Sequence, residues 1–148
     1  MNKNRLILSG LLAGLILNVG EAVLHGVVFA DATAAALRNL GHEIAGSGTD
    51  TAQLIVVTFV QGLVGMLLYY AVLPRWQAGI GTAIRVGLIA WVLSAVYSGV
   101  YLAAGFAGLF PASIAWGPVV FELVLYPLAF VAGALIYKES QVISSARA

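Results

Sequence analysis

The chain has 148 residues, of which 61% are hydrophobic and only 9% charged, with a mean hydropathy of +1.00; a soluble domain is about half apolar and a quarter charged. A formal charge of +1 supplies no basic field for nucleic acid, and the absence of cysteine excludes disulfides, thiolate metal ligands and thiol nucleophiles. Most of the chain is therefore expected to lie in a lipid bilayer, as a single transmembrane domain covering residues 1–148.

Four apolar segments reach the roughly 20 residues that a bilayer core requires. They are 6–29, 53–73, 84–106 and 115–137. The expectation is an all-α integral membrane protein, with four transmembrane helices in an up-down bundle and a short outer interfacial helix. Lys3 and Arg5 precede the first segment as they would a signal peptide, but its apolar run is too long for a signal core and is expected to be retained as a span. In the following loop, Asp31 is expected to cap a helix over 32–40, with Gly41 as its stop and Leu37, Leu40 and Ile44 on one side. Residues 46–49 then read as a flexible connector. The second segment ends at Pro74-Arg75-Trp76. The third and fourth share a charge-free run, 86–121, too long for one span and divided by Gly105, Gly108, Pro111, Gly117 and Pro118. A faint repeat relates 9–29 to 86–106 and Gln61–Tyr70 to Ala129–Lys138, a pattern that apolar helices also produce by composition alone.

Orientation follows from the basic residues. Lys3, Arg5, Arg75, Arg85, Lys138 and Arg147 fall on one side and Arg38 on the other, so both termini are expected in the cytoplasm, with the protein in the plasma (inner) membrane. Trp76 and Trp116 fall at opposite interfaces, and Tyr69, Tyr70 and Tyr137 read as cytoplasmic-interface anchors.

Glu21 and Glu122 lie deep within apolar segments, and no lysine or arginine lies deep in any segment to neutralise them. Such residues are costly in hydrocarbon and mark candidate functional sites. At about 100° per residue, Gly10, Gly14, Asn18, Glu21 and His25 share an arc of about 80° on the first helix, and Glu122, Tyr126, Ala129, Gly133 and Tyr137 share a similar arc on the fourth. The small residues predict that these two helices meet through Gly10, Gly14, Ala129 and Gly133. Both glutamates fall in one layer, on the order of 5 Å outward of the span centres. Thr58, Gln61, Tyr97, Ser98 and Tyr101 reach a similar layer, giving a candidate proton- or ligand-binding set of Glu21, Glu122, Asn18, His25, Gln61, Tyr97, Ser98, Tyr101 and Tyr126.

Each member has a plainer reading. Asn18, Thr58, Gln61 and Ser98 suit interhelical hydrogen bonds. His25 suits an i,i+4 pair with Glu21 or an interfacial position. Haem at His25 would need an axial partner, and the other histidine is His42 in the loop. A metal on Glu21, His25 and Glu122 is chemically sensible, but the spacing matches no ligand motif, so no cofactor is assigned. Two carboxylates in one apolar layer repel when both are charged, so one is expected to hold a proton near neutral pH; a structural pair sharing a proton is the alternative to a ligand site.

A membrane-embedded glutamate in the first of four helices resembles the small multidrug resistance transporters. The basic-residue asymmetry, the longer outer loop and the second glutamate in the last helix depart from that pattern, so no function is carried over. The favoured reading is a small membrane protein whose two carboxylates bind or transport a proton, a cation or a cationic amphiphile. The alternative is a non-catalytic accessory subunit, in a homo-oligomer or a larger membrane complex. An enzyme is disfavoured, because two carboxylates, a histidine and tyrosines supply neither nucleophile nor cofactor.

Overall fold

The computed structural model describes residues 3–41 and 48–137. Among these every regular element is helical, and four helices are long and apolar enough to cross a membrane: Lys3–Val28, Gly48–Trp76, Ile80–Gly105 and Ala112–Ile136. We call them the first to fourth spans; a short helix, Ala30–Asn39, follows the first.

Each helix begins three to five residues before its apolar segment, because propensity and capping set a helix start whereas hydropathy marks only the greasy part. The second span begins at Gly48 with Asp50 in its first turn, where a carboxylate suits the helix dipole, and it continues through Pro74 to Trp76. The turn to the third span is tight, with Gln77 at φ 62° and Gly79 at φ 153°. It is tied down by the Thr82 hydroxyl, which donates to the carbonyls of Trp76 (3.0 Å) and Gln77 (2.8 Å), and by Gly79 N–H, which donates to Tyr69 OH at 3.1 Å.

Two of the expected turn-formers are helical. Gly117 and Pro118 lie inside the fourth span, and so does Pro127. The hairpin is confined to 106–111, with Gly108 at φ 83° and Pro111 in the N-cap position. Pro127 is accommodated by its neighbour: a Cβ on Gly87 would meet Pro127 Cα at 2.6 Å and N at 2.8 Å, so the bare proline nitrogen and the glycine let the third and fourth spans touch backbone to backbone.

The short helix starts two residues before its expected position. Phe29, not Asp31, occupies the N-cap, with no side-chain cap; Asp31 lies in the first turn. Its end is as expected, with Gly41 at φ 74° and its N–H donating to the Arg38 carbonyl at 3.0 Å. Ile44, His42 and the connector at 46–49 lie outside the described residues, as do Lys138 and Arg147.

Helix pairing differs from the sequence expectation. Gly10 and Gly14 face the second span rather than the fourth. A Cβ on Gly62 would collide with Gly14 N and Gly10 O, while one on Gly10 or Gly14 would meet Leu63 Cα (2.8 Å) or Phe59 Cα (2.9 Å). Gly133 does approach the first span, at Ser9 O, and also Met66 of the second. Periodicity placed the small residues on one face but left open which helix that face would meet. The proposed repeat is also imperfect in space: Gly10 packs on Leu63, whereas its counterpart Gly87 packs on Pro127, one turn from the residue aligned with Leu63.

These contacts make successive spans antiparallel. Ser9 with Gly133, Gly20 with Leu125 and Phe29 with Gly117 set the register of the first span on the fourth, and Lys3 and Tyr137 therefore lie at one end, the terminal end. In and beside that half Ala13, Leu17, Met66, Ala129 and Phe130 are fully buried, as Leu24 is nearer the other end. Tyr69 and Tyr137 are buried in the terminal half too, ring edge to face at 6.2 Å, rather than standing as surface anchors; the Tyr70 ring meets Tyr137 at 6.1 Å. Elsewhere the exterior is apolar, with Val27, Leu54, Leu93 and Val120 among the residues at least two-thirds exposed, as a lipid-facing surface requires.

Candidate functional site

The register of the first span on the fourth carries Glu21 to the turn that holds Glu122. Gly87 on Pro127 and Gly99 on Val119 bracket the same level of the third span, which there makes a π-helical turn, Val92–Val96. A second π-helical turn, Leu24–Val28, follows Glu21 directly and contains His25. Such turns are rare and recur at functional sites, because the extra residue breaks the ordinary ladder and re-aims side chains.

Glu122 is 7% exposed, and no hydrogen bond or ion pair reaches it among the described residues. Glu21 is better served: its Oε2 lies 3.3 Å from His25 Nε2, one turn on, with side-chain exposures of 27% and 56% respectively. The charges of Glu122, Glu21 and His25 act on one another, so the three form one electrostatic group. They do not converge as a chelate; among the described residues no three His, Asp or Glu side chains come together as metal ligands.

One turn from Glu122 toward the terminal end, a neutral hydrogen-bond chain crosses three spans. Gln61 Nε2 donates to Tyr126 OH at 2.7 Å, and Tyr126 OH donates to Ser94 Oγ at 3.0 Å. Nearby, Trp91 Nε1 donates to the Val119 carbonyl at 2.8 Å, fastening the third span to the fourth. Asn18 bridges the first two spans, with Nδ2 donating to the carbonyls of Gly14 (2.8 Å) and Ile55 (3.4 Å). Thr58 stays on its own helix, donating to the Leu54 carbonyl at 2.9 Å.

Three members of the candidate set lie elsewhere. Tyr97, Ser98 and Tyr101 are on the exposed side of the third span, where the two tyrosine rings stack at 6.3 Å. The reason is Gly99, which is buried against Val119 and the Ala115 carbonyl. Residues two positions either side of it point about 160° away, so Tyr97 and Tyr101 must face outward. The polar contact comes instead from Ser94, one turn earlier, which the sequence reading passed over. Its signal was the spacing to Ser98, obscured by the intervening π-helical turn.

Where the third span ends and the fourth begins, at the end away from the termini, lies a half-open hollow of about 280 Å³, walled by Leu102, Phe106, Phe110, Ala115 and Trp116. Its lining side chains are apolar, and neither carboxylate is among them. Comparison of the chain with protein-family models, with curated protein sequences and with solved structures yields no match.

Proposed function

We propose that this is a small four-helix membrane protein of the plasma membrane, its terminal end cytoplasmic, whose Glu21 and Glu122 together hold a proton or a monovalent cation, inorganic or organic. The observation that carries this reading is Glu122: an acidic residue only 7% exposed, with no hydrogen bond or ion pair among the described residues, in the same layer as a second carboxylate. A buried acid left without partners is costly unless something neutralises it. Protonated His25 balances Glu21 and leaves one negative charge, which suits a single positive charge better than a divalent ion. The surrounding Gln61, Tyr126 and Ser94 are neutral and add hydrogen-bonding capacity without adding charge.

The test is cation binding by the purified full-length chain in detergent, with sodium and tetraphenylphosphonium as probes and pH as the second variable. Binding of at least one probe should weaken as pH falls and should be lost in the double variant Glu21→Gln, Glu122→Gln, which keeps the helical content. Proton release on binding should vanish with it. Equal binding by the double variant and the natural chain refutes the proposal.

A further inference from the structure

Arg75 and Arg85 are the only charged residues between Asp50 and Glu122 in the sequence, so the hairpin joining the second span to the third carries two positive charges and no acid. Among the described residues neither guanidinium has a hydrogen bond or an ion pair, and the described acids, Glu21, Asp31, Asp50 and Glu122, all lie toward the other end of the bundle. We propose that this hairpin binds the phosphate group of an anionic phospholipid, with Arg85 as the main contact and Arg75 as the second charge.

Arg85 lies five residues past Ile80, the first of the third span, or about 7 Å along the helix axis. Thr82, Ala83, Val86 and Gly87 make the buried face there, so Arg85 stands on the outer face among the exposed Ile84, Leu88 and Ile89. A long basic side chain just inside an apolar rim reaches back to the headgroup layer. This one does so over the Trp76 ring, with its Cζ 5.7 Å from the ring centroid. An indole takes the flat face of a guanidinium and leaves the N–H edge free, and that edge is the fork that matches two phosphate oxygens.

The ring and the arginine are carried by one tied turn. The Thr82 hydroxyl on the Trp76 and Gln77 carbonyls, and Gly79 N–H on Tyr69 OH, fix the end of the second span against the start of the third. A Cβ added at Gly79 or Gly81 would meet nothing within 4 Å, which leaves room beside the turn for a headgroup. A zwitterionic lipid presents the same phosphate together with a cation of its own, which two unpaired arginines repel. An anionic lipid brings no such cation, so its net charge complements the hairpin. None of these residues belongs to the carboxylate layer, and the proposal does not depend on the function assigned to that layer.

The test is lipid retention by the purified full-length chain in detergent, counted by native mass spectrometry, with phosphatidylglycerol, phosphatidylcholine and inorganic phosphate as the probes. Phosphatidylglycerol should be retained in preference to phosphatidylcholine, and inorganic phosphate at the same concentration should not displace it. Arg85→Gln, a change on an outward face, should weaken retention about tenfold, the scale of a charge-assisted hydrogen-bonded contact. Arg75→Gln should weaken it about fivefold, the scale of one basic residue near an anionic surface. Arg38→Gln, on the short helix, should change nothing. Trp76→Leu keeps both charges and should still weaken retention about threefold, while Arg85→Lys should recover only part of what Arg85→Gln loses; both results distinguish a guanidinium held in place from a diffuse positive charge. Equal retention of the two lipids overturns the proposal, as does displacement of the lipid by inorganic phosphate or an Arg85→Gln chain that holds phosphatidylglycerol as well as the natural one. Full recovery in Arg85→Lys together with an unaffected Trp76→Leu overturns it as well, because the hairpin would then act through charge alone.

Discussion

The crossing of the first and second spans can be broken with one methyl group. At Gly62 an added Cβ meets Gly14 N and Gly10 O, both backbone, so no side-chain rotation relieves the clash and the two helices must separate. Overpacking of this kind costs about 1–3 kcal/mol. Gly62→Ala also gains helix propensity worth about 0.5–1 kcal/mol, and the control must share that gain. Gly81→Ala does so: the position is helical, and nothing lies within 4 Å of its added Cβ. Gly62→Ala should therefore be about 1–3 kcal/mol less stable than Gly81→Ala. Titration with sodium dodecyl sulfate from mixed micelles, followed by circular dichroism and tryptophan fluorescence, measures the difference. Stabilities equal to within about 0.5 kcal/mol, the ordinary scatter of surface substitutions, would refute the backbone-to-backbone crossing.

For topology, Ala35→Cys and Ala78→Cys should react with an impermeant thiol reagent from opposite faces of the membrane, with Ala78→Cys on the cytoplasmic face; labelling from the same face defeats the four-span reading. Tyr126→Phe should destabilise the chain by about 1–3 kcal/mol in the same detergent titration, because it leaves the part-buried Gln61 amide and Ser94 hydroxyl without their shared partner. The double variant Gln61→Leu, Tyr126→Phe should cost less than the sum of its single changes, since the bond between them can be lost only once. Additive costs would place the two side chains in separate networks.

Much of the architecture is a local property and so is legible in the chain. The number of spans follows from runs of apolar residues against the thickness of a bilayer, and the Gly41 stop from a residue that tolerates positive φ. The burial of Glu122, Tyr126, Ala129 and Gly133 on one face follows from the 3.6-residue period. Pro118, counted among the dividers of the charge-free run yet within the expected fourth span, is helical: inside a packed helix its missing N–H is tolerated, whereas in an isolated one it breaks the ladder.

Tertiary structure decided what no single helix encodes. A stripe of glycines states that something will come close, and only packing made that partner the second span for Gly10 and Gly14, because Gly62 there offers the matching gap. The azimuth of the third span was decided in the same way. Gly99 turned toward the fourth span and sent Tyr97, Ser98 and Tyr101 outward, while the π-helical turn Val92–Val96 brought Ser94 to Tyr126. Periodicity assumes a uniform helix and specifies a face only relative to that helix; where the helix changes its pitch, or where two faces compete for one neighbour, the closest backbone approach sets the rotation. The sequence alone thus determined that two carboxylates would lie in apolar helices at similar depth, and the packing of four helices determined which neutral side chains stand beside them.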